Sequence, residues 1–391
     1  MASCPRLTLV PRSVSPLRAF VSFSKKINDD RYSTEDGKMS SVDDEPLVIR
    51  AVGDVMLGSA YFHSLVGPSI PDVLDDPSDQ LLDDRVIEML SEADLLFGNL
   101  ECVISEDFER DSGDIPPSLM APIGAASVLE TCGFDVLNLA NNHILDHGPS
   151  YVEETIGYLE ELGIEHVGYP FDGSKPLTIQ KNDHLIRFTG HYIRDLTDER
   201  KKERIISQLR DGDDDKTIDI VSLHWGFGGE HMDRPSPRQI EFGRRLVDSG
   251  ADVVLGHHSH TLQPVEEYND GIIAYSLGNF IFDHWRERNR LGGILTLRID
   301  HHGHIEADMT VTEQEDYRVN LTNKKPIDDL TVSRLEAEPI EEYRKESERV
   351  RTRHKIEVIW QFLRRGHKFP VSYHLSTYKR WSKRAIREIR R

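Results

Sequence analysis

Cysteine is nearly absent: Cys4, Cys102 and Cys132 are the three in 391 residues, and none sits in a CxxC pair. So few thiols exclude a disulfide scaffold and a thiolate zinc site, and they fit a reducing compartment. Long apolar runs are absent too. No stretch of eighteen apolar residues occurs, which excludes an ordinary membrane-spanning helix. The expected location is cytoplasmic, with at most peripheral contact to a membrane. There is no internal repeat and no glycine-rich phosphate loop of either usual spacing. Basic charge is scarce through the middle of the chain: residues 29–340 hold 27 Lys and Arg against 62 Asp and Glu, within a formal net charge of −20. Such a surface repels nucleic acid and suits a salt-rich solvent, as in a halophile, where screening tames self-repulsion.

The two ends carry the missing positive charge. Residues 1–28 have five basic residues and no acid, and residues 341–391 have sixteen basic against six acidic. Residues 1–46 are broken by proline and arginine and lack the uninterrupted apolar core of a secretory signal. They are expected to be a disordered or mis-called extension, with the true start at Met39. From Leu47 a pattern repeats in which a short apolar run leads into a Gly/Asn/His turn and then a helical stretch. "LVIRAVGD", "DLLFGNLE", "DVLNLANNH", "TIDIVSLHWG" and "ADVVLGHHSH" read as strands. "SYVEETIGYLEELGI" and "SPRQIEFGRRLVDSG" read as helices, the second with Ser236 as N-cap and Pro237 at its first position. The alternation predicts an α/β fold with mostly parallel sheets covered on both faces, whose sites form beyond the carboxyl ends of the strands. This body is expected over 47–311. Residues 312–391 read as a polar linker, "TEQEDYRVNLTNKKP", then a long charged helix and a basic tail. That tail is expected to touch an anionic polymer, a membrane surface or a synthase complex.

What stands at the strand ends is chemically uniform. Asp54 closes the first strand, Glu101 follows the second, Asn142 and His143 the third, His224 a later one, and His258 and His260 the next. Each has a bland reading: an N-cap or turn residue for Asp54, a solvated acid for Glu101, turn formers for Asn141 and Asn142, a helix-entry histidine for His143. Core packing does not explain five successive strands ending in metal-competent side chains. An oxygen- and nitrogen-rich set of this size suits two divalent ions of the Mn, Fe or Zn type rather than calcium. Between the doubled His257 and His258, the second alternates with His260 along an extended strand end and is preferred for that reason. Cys102 has no evident base beside it and reads as a small buried residue.

Six motifs in order, "GDVMLG", "GNLE", "LANNHILDHG", "HWG", "GADVVLGHHSH" and "YSLGNFIFD", resemble the capsule-synthesis protein CapA family across roughly residues 47–285. That family is tied to capsular polysaccharide and poly-γ-glutamate and belongs with the calcineurin-like metallophosphoesterases. The resemblance implies a four-layer sandwich with a two-metal centre, at which hydroxide attacks a phosphoester. It implies Asp54, Glu101, Asn142, His224, His258 and His260 as ligands and His143 as general acid. Asn99, Asn141 and Asn279 are expected to contact substrate. Two features depart from the pattern. Met56 stands where the superfamily has the histidine of its Asp-x-His pair, and "HWGFGGEHMDRP" replaces a shorter segment, leaving Glu230 and His231 without clear counterparts. Three readings follow: a phosphoester hydrolase in cell-surface polymer metabolism, a non-catalytic accessory subunit binding metal or polymer, and hydrolysis of γ-glutamyl amide bonds.

Overall fold

The computed structural model describes residues 45–59, 69–74, 81–108, 119–171, 174–209, 216–284, 286–324 and 330–365. The expected N-terminal extension with its start at Met39, all but its last two residues, lies outside these, as does the basic end at 366–391.

The described chain begins with β1 (Leu47–Val55), α1 (Ile70–Val73), α2 (Asp84–Ser91) and β2 (Leu95–Leu100). A small ribbon, β3 (Val103–Ile104) and β4 (Met120–Ala121), precedes α3 (Ala126–Cys132), β5 (Val136–Asn138), α4 (Pro149–Leu162) and β6 (Glu165–Val167). A second sheet is then laid down by β7 (Leu177–Lys181), β8 (His184–Ile193), α5 (Glu199–Ile206), β9 (Thr217–Trp225), α6 (Pro237–Asp248), β10 (Val253–His257), β11 (Val265–Tyr268) and β12 (Gly271–Ala274). The chain returns to the first sheet through β13 (Asn279–Ile281), β14 (Leu291–Ile299), β15 (Ile305–Glu315) and β16 (Arg318–Leu321). It touches the second again with β17 (Thr331–Val332) and ends in α7 (Ile340–Arg365).

The first sheet runs β16-β15-β14-β1-β2-β5-β6, with β13 also paired to β1, and the second runs β17-β11-β12-β10-β9-β8-β7. The strands that carry the candidate site, β1, β2 and β5 in one sheet and β9 and β10 in the other, pair in parallel, while β14, β15 and β16 continue the first sheet antiparallel from β1 and β7 pairs antiparallel at the edge of the second. Three apolar cores separate four layers. Ile49, Phe97 and Leu295 of the first sheet meet Ile186, Phe188 and Leu255 of the second, with Phe97 and Phe188 stacked at 5.5 Å. α2, α3 and α4 cover the outer face of the first sheet, and α5 and α6 that of the second. This is the α/β four-layer sandwich expected. Each covering helix follows its sequence. α4 buries Val152, Thr155 and Leu159 on one stripe and stops at Gly163 in the left-handed conformation. α6 starts at Ser236, whose side chain and that of Gln239 form a reciprocal capping box, with Pro237 at the first helical position.

The segment read as a polar linker is a hairpin instead. β15 runs through the expected boundary at 311/312 and pairs antiparallel with β16, and the turn residues Asp316 and Tyr317 both have positive φ. The strand was hidden because most of its buried side chains are polar: Thr312, Glu313 and Gln314 follow Val311 into the interior without alternating, and Gln314 Oε1 accepts from the Phe282 N–H. α7 is docked on the body. Arg286 pairs with Glu357, Ser347 Oγ donates to the Gly228 carbonyl, and Arg234 Nε lies 2.7 Å from Glu338 on the approach to the helix.

Candidate metal centre

Strand register builds the site. In the first sheet Asn138, Asn99, Asp54 and Asn279 stand side by side across β5, β2, β1 and β13. In the second sheet His224 and His257 are direct partners across β9 and β10. The two rows face one another across the gap between the sheets, with Asn99 Nδ2 3.5 Å from His224 Nδ1. Within the first sheet, Gly53 lets the chain entering β13 approach β1, since a Cβ there would lie 2.2 Å from the Gly278 carbonyl oxygen. The loop bearing Asn279 therefore packs directly against β1.

Asp54, Glu101 and His224 are fully buried, and their ligand atoms lie within 4.8 Å of one another. Around them, His224 Nε2 is 2.5 Å from Asn142 Oδ1, 3.0 Å from His258 Nδ1 and 3.7 Å from Glu101 Oε1. His260 places Nδ1 3.2 Å from Asp54 Oδ2 and Nε2 3.9 Å from Glu101 Oε1. All six residues singled out as ligands thus converge. His143 sits at the rim with Nε2 3.9 Å from Glu101 Oε1, and its Nδ1–H donates to Asp146 Oδ2 at 2.8 Å.

The electrostatics are those of a cation cradle. Burial pushes the Glu101 carboxyl up to about 7. Burial also opposes ionisation of Asp54, but His257 and His260 outweigh it and hold that carboxyl well below the usual range. Burial drives His224 well below its ordinary value and His258 down to about 4, so both are neutral imidazoles with a lone pair to give. His260 goes the other way, up to about 10 against its own desolvation, because Glu101 and Asp54 face it. Both Glu101 oxygens and His258 Nε2 are buried without a hydrogen-bond partner, and Asp54 Oδ2 has His260 Nδ1 at 3.2 Å. Orphaned carboxylate oxygens inside a protein cost several kcal/mol unless a cation meets them. The donor set of carboxylate, amide and imidazole fits a Mn, Fe or Zn ion.

The three asparagines expected to touch substrate are turned to protein. Asn99 donates to Asp54 Oδ1 at 2.9 Å and accepts from Asn138 Nδ2, while Asn279 Oδ1 lies 3.0 Å from His260 Nδ1. Asn141 Oδ1 accepts from the His143 and Ile144 N–H groups, and its Nδ2 donates to the Leu100 carbonyl. All three are buried, and they orient the ligand set as outer-shell partners do. β10 ends at His257, and His258 and His260 both have positive φ, so a left-handed turn rather than strand alternation brings them together. His257 belongs at the site as well, fully buried with Nδ1 3.3 Å from Asp54 Oδ1. Sequence reasoning missed His257, Asn138 and Asp146; the doubled histidine was the one signal for the first. Glu230, unassigned in the sequence, comes to 3.7 Å from His258 Nε2. Met56 is wholly buried in the core beneath the first sheet, away from the ligand role. Cys102 is fully buried, and that burial pushes its thiol up to about 12.

The family profile described as bacterial capsule synthesis protein PGA_cap matches residues 48–284. The chain belongs to that family. Among its relatives, the capsule biosynthesis protein CapA of Bacillus anthracis is 28% identical over 287 residues, 68% of this chain and 67% of that one. The PGA biosynthesis protein CapA of Bacillus subtilis is 26% identical over 71% of this chain and 74% of its own. A probable polyglutamine synthesis accessory protein of Mycobacterium tuberculosis is 30% identical over 38% of this chain and 45% of its own.

Proposed function

We propose that this protein is a metal-dependent phosphoester hydrolase of capsule or poly-γ-glutamate metabolism. The observation that carries this reading is the buried Glu101 carboxyl, neither of whose oxygens has a hydrogen-bond partner, beside the buried Asp54 and faced by the neutral imidazoles of His224 and His258. Asp54, Glu101, Asn142, His224, His258 and His260 would hold up to two divalent ions, with His257 beside them. Such ions supply Lewis-acid polarisation of a phosphoryl oxygen and activation of water at neutral pH. His143 delivers a proton to the leaving oxygen from Nε2, and Asp146 fixes the tautomer by accepting from Nδ1. The asparagine relay of Asn138 and Asn99 keeps Asp54 in register with the histidines. We place the protein at the cytoplasmic face of a membrane, beside a polymer synthase. No helix among the described residues is long and apolar enough to cross the bilayer.

One observation favours a second reading, an accessory subunit that binds metal and polymer without turnover. Met56 is buried in the core where a further histidine ligand would stand in the wider superfamily. Hydrolysis of an aryl phosphodiester with added Mn decides between them. Metal-dependent release that disappears in Glu101→Gln supports the hydrolase. A parent protein that holds metal yet turns over no ester gives way to the accessory reading.

A further inference from the structure

Beside the metal centre, a cleft of about 230 Å³ opens between the glycine loop after β9 and helix α7. Its lining reverses the charge of the chain. Arg194, Arg238, Arg344 and Arg351 surround it, with Asp195 as the acidic member. Arg344 is held by an exposed i,i+3 contact to Glu341, which is a weak interaction. Among the described residues, no carboxylate lies at ion-pair distance from Arg194, Arg238 or Arg351. Against the cleft also lies Tyr343, 6% exposed, whose hydroxyl is buried without a hydrogen-bond partner. Gly229 makes room for that hydroxyl, because a Cβ there would lie 2.6 Å from it. A buried donor with no acceptor calls for one. Phe227 joins the cleft to the metal centre: its ring stacks on His258 at 6.1 Å and carries the Arg194 guanidinium at 4.4 Å.

We infer that this cleft is a subsite for a polycarboxylate chain, whose successive carboxylates it holds along α7 while the chain continues over Phe227. The inference rests on the proposed role in anionic polymer metabolism and gives that role a binding site. Guanidinium groups and a phenol hydroxyl are all donors, and carboxylate oxygens are their natural acceptors. Arg344 and Arg351 stand seven residues apart on one helix, a rise of about 10 Å. That spacing suits successive charges along a chain better than one compact polyanion. The cleft is smaller than the roughly 300 Å³ at which pockets begin to enclose a whole small ligand, as expected for a groove that holds part of a longer one.

The test is binding of a dye-labelled γ-linked glutamate oligomer to the full chain, followed by fluorescence anisotropy without any turnover step. The double variant Arg194→Gln/Arg351→Gln should bind at least about tenfold more weakly, and Tyr343→Phe should weaken binding several-fold, with metal content unchanged in both. Arg85→Gln, on α2, should bind as the parent does. Equal binding by the double variant, or an equal loss in Arg85→Gln, overturns the subsite. So does polyphosphate of matched length binding more tightly than the glutamate oligomer. A parent that binds the oligomer through these arginines yet hydrolyses no ester upholds the subsite while removing the hydrolase reading.

Discussion

Asn142 reaches from the turn after β5 in one sheet to place its amide oxygen 2.5 Å from His224 Nε2, at the end of β9 in the other. An amide oxygen and an imidazole nitrogen this close, above the buried Glu101 carboxylate, are arranged to share one cation. Asp54→Ala, His258→Ala and Asn142→Ala should each lose most of the bound divalent metal after dialysis, read by elemental analysis of the purified protein. Retention of metal by all three would mean that the convergent set is not the centre.

The neighbouring residue separates chemistry from binding. His143 faces Glu101 from the rim and is oriented by Asp146, so it can move a proton without being a ligand. His143→Gln should keep its metal and lose about a hundredfold or more of phosphodiesterase turnover. Asp146→Asn should show a smaller loss in the same assay, because it perturbs only the orientation. Full activity in His143→Gln removes it from the mechanism.

Stability away from the site depends on a buried ionic cluster. Glu266 is wholly buried and accepts from Arg244, from the Tyr275 hydroxyl at 2.6 Å and from the Leu335 N–H at 2.9 Å. Glu266→Ala leaves Arg244 and Tyr275 facing an apolar hole and should cost about 3–5 kcal/mol in urea unfolding. A loss below about 1 kcal/mol would show that the cluster is relaxed by solvent.

His191 links stability to pH. Burial drives its imidazole down to about 4, against about 6.5 in an unfolded chain. The unfolded state therefore takes up the proton first as pH falls. The contribution is fully present above pH 6.5 and is lost progressively as pH falls toward 4, reaching about 3 kcal/mol. His191→Phe should unfold with a shallower loss of stability across that window than the parent. Parallel pH profiles would show that His191 titrates normally in the fold.

α7 offers a surface test. Ile356, Ile359, Trp360 and Leu363 are exposed at the spacing of one helical stripe, and the sequence beyond them is strongly basic. An apolar stripe followed by positive charge suits an anionic lipid surface. The full chain should sediment with phosphatidylglycerol vesicles and not with phosphatidylcholine ones, and Trp360→Glu should abolish this. Equal sedimentation of parent and variant would assign any binding to charge alone.

The sequence by itself determined the alternation of strands and helices, and with it the edge at which chemistry would gather. Asp54, Glu101, Asn142 and His224 were legible because each stands at or within a few residues of the end of an apolar run, and a strand end must present whatever residue comes next. The tertiary structure decided what depends on pairing and backbone hand. Register alone sets Asn138, Asn99 and Asp54 in one row, and no local spacing encodes which strands become neighbours. The left-handed turn at His258 and His260 brings those two together, while register with His224 across β9 and β10 sets His257 at the site as well. The β15–β16 hairpin escaped notice because Thr312, Glu313 and Gln314 are buried polar residues, with partners such as the Phe282 N–H that lie far away in sequence. Charge followed the same rule. A count over the chain gives an acidic middle and a basic C-terminal end, and only the docking of α7 against the glycine loop gathers four arginines beside the metal centre.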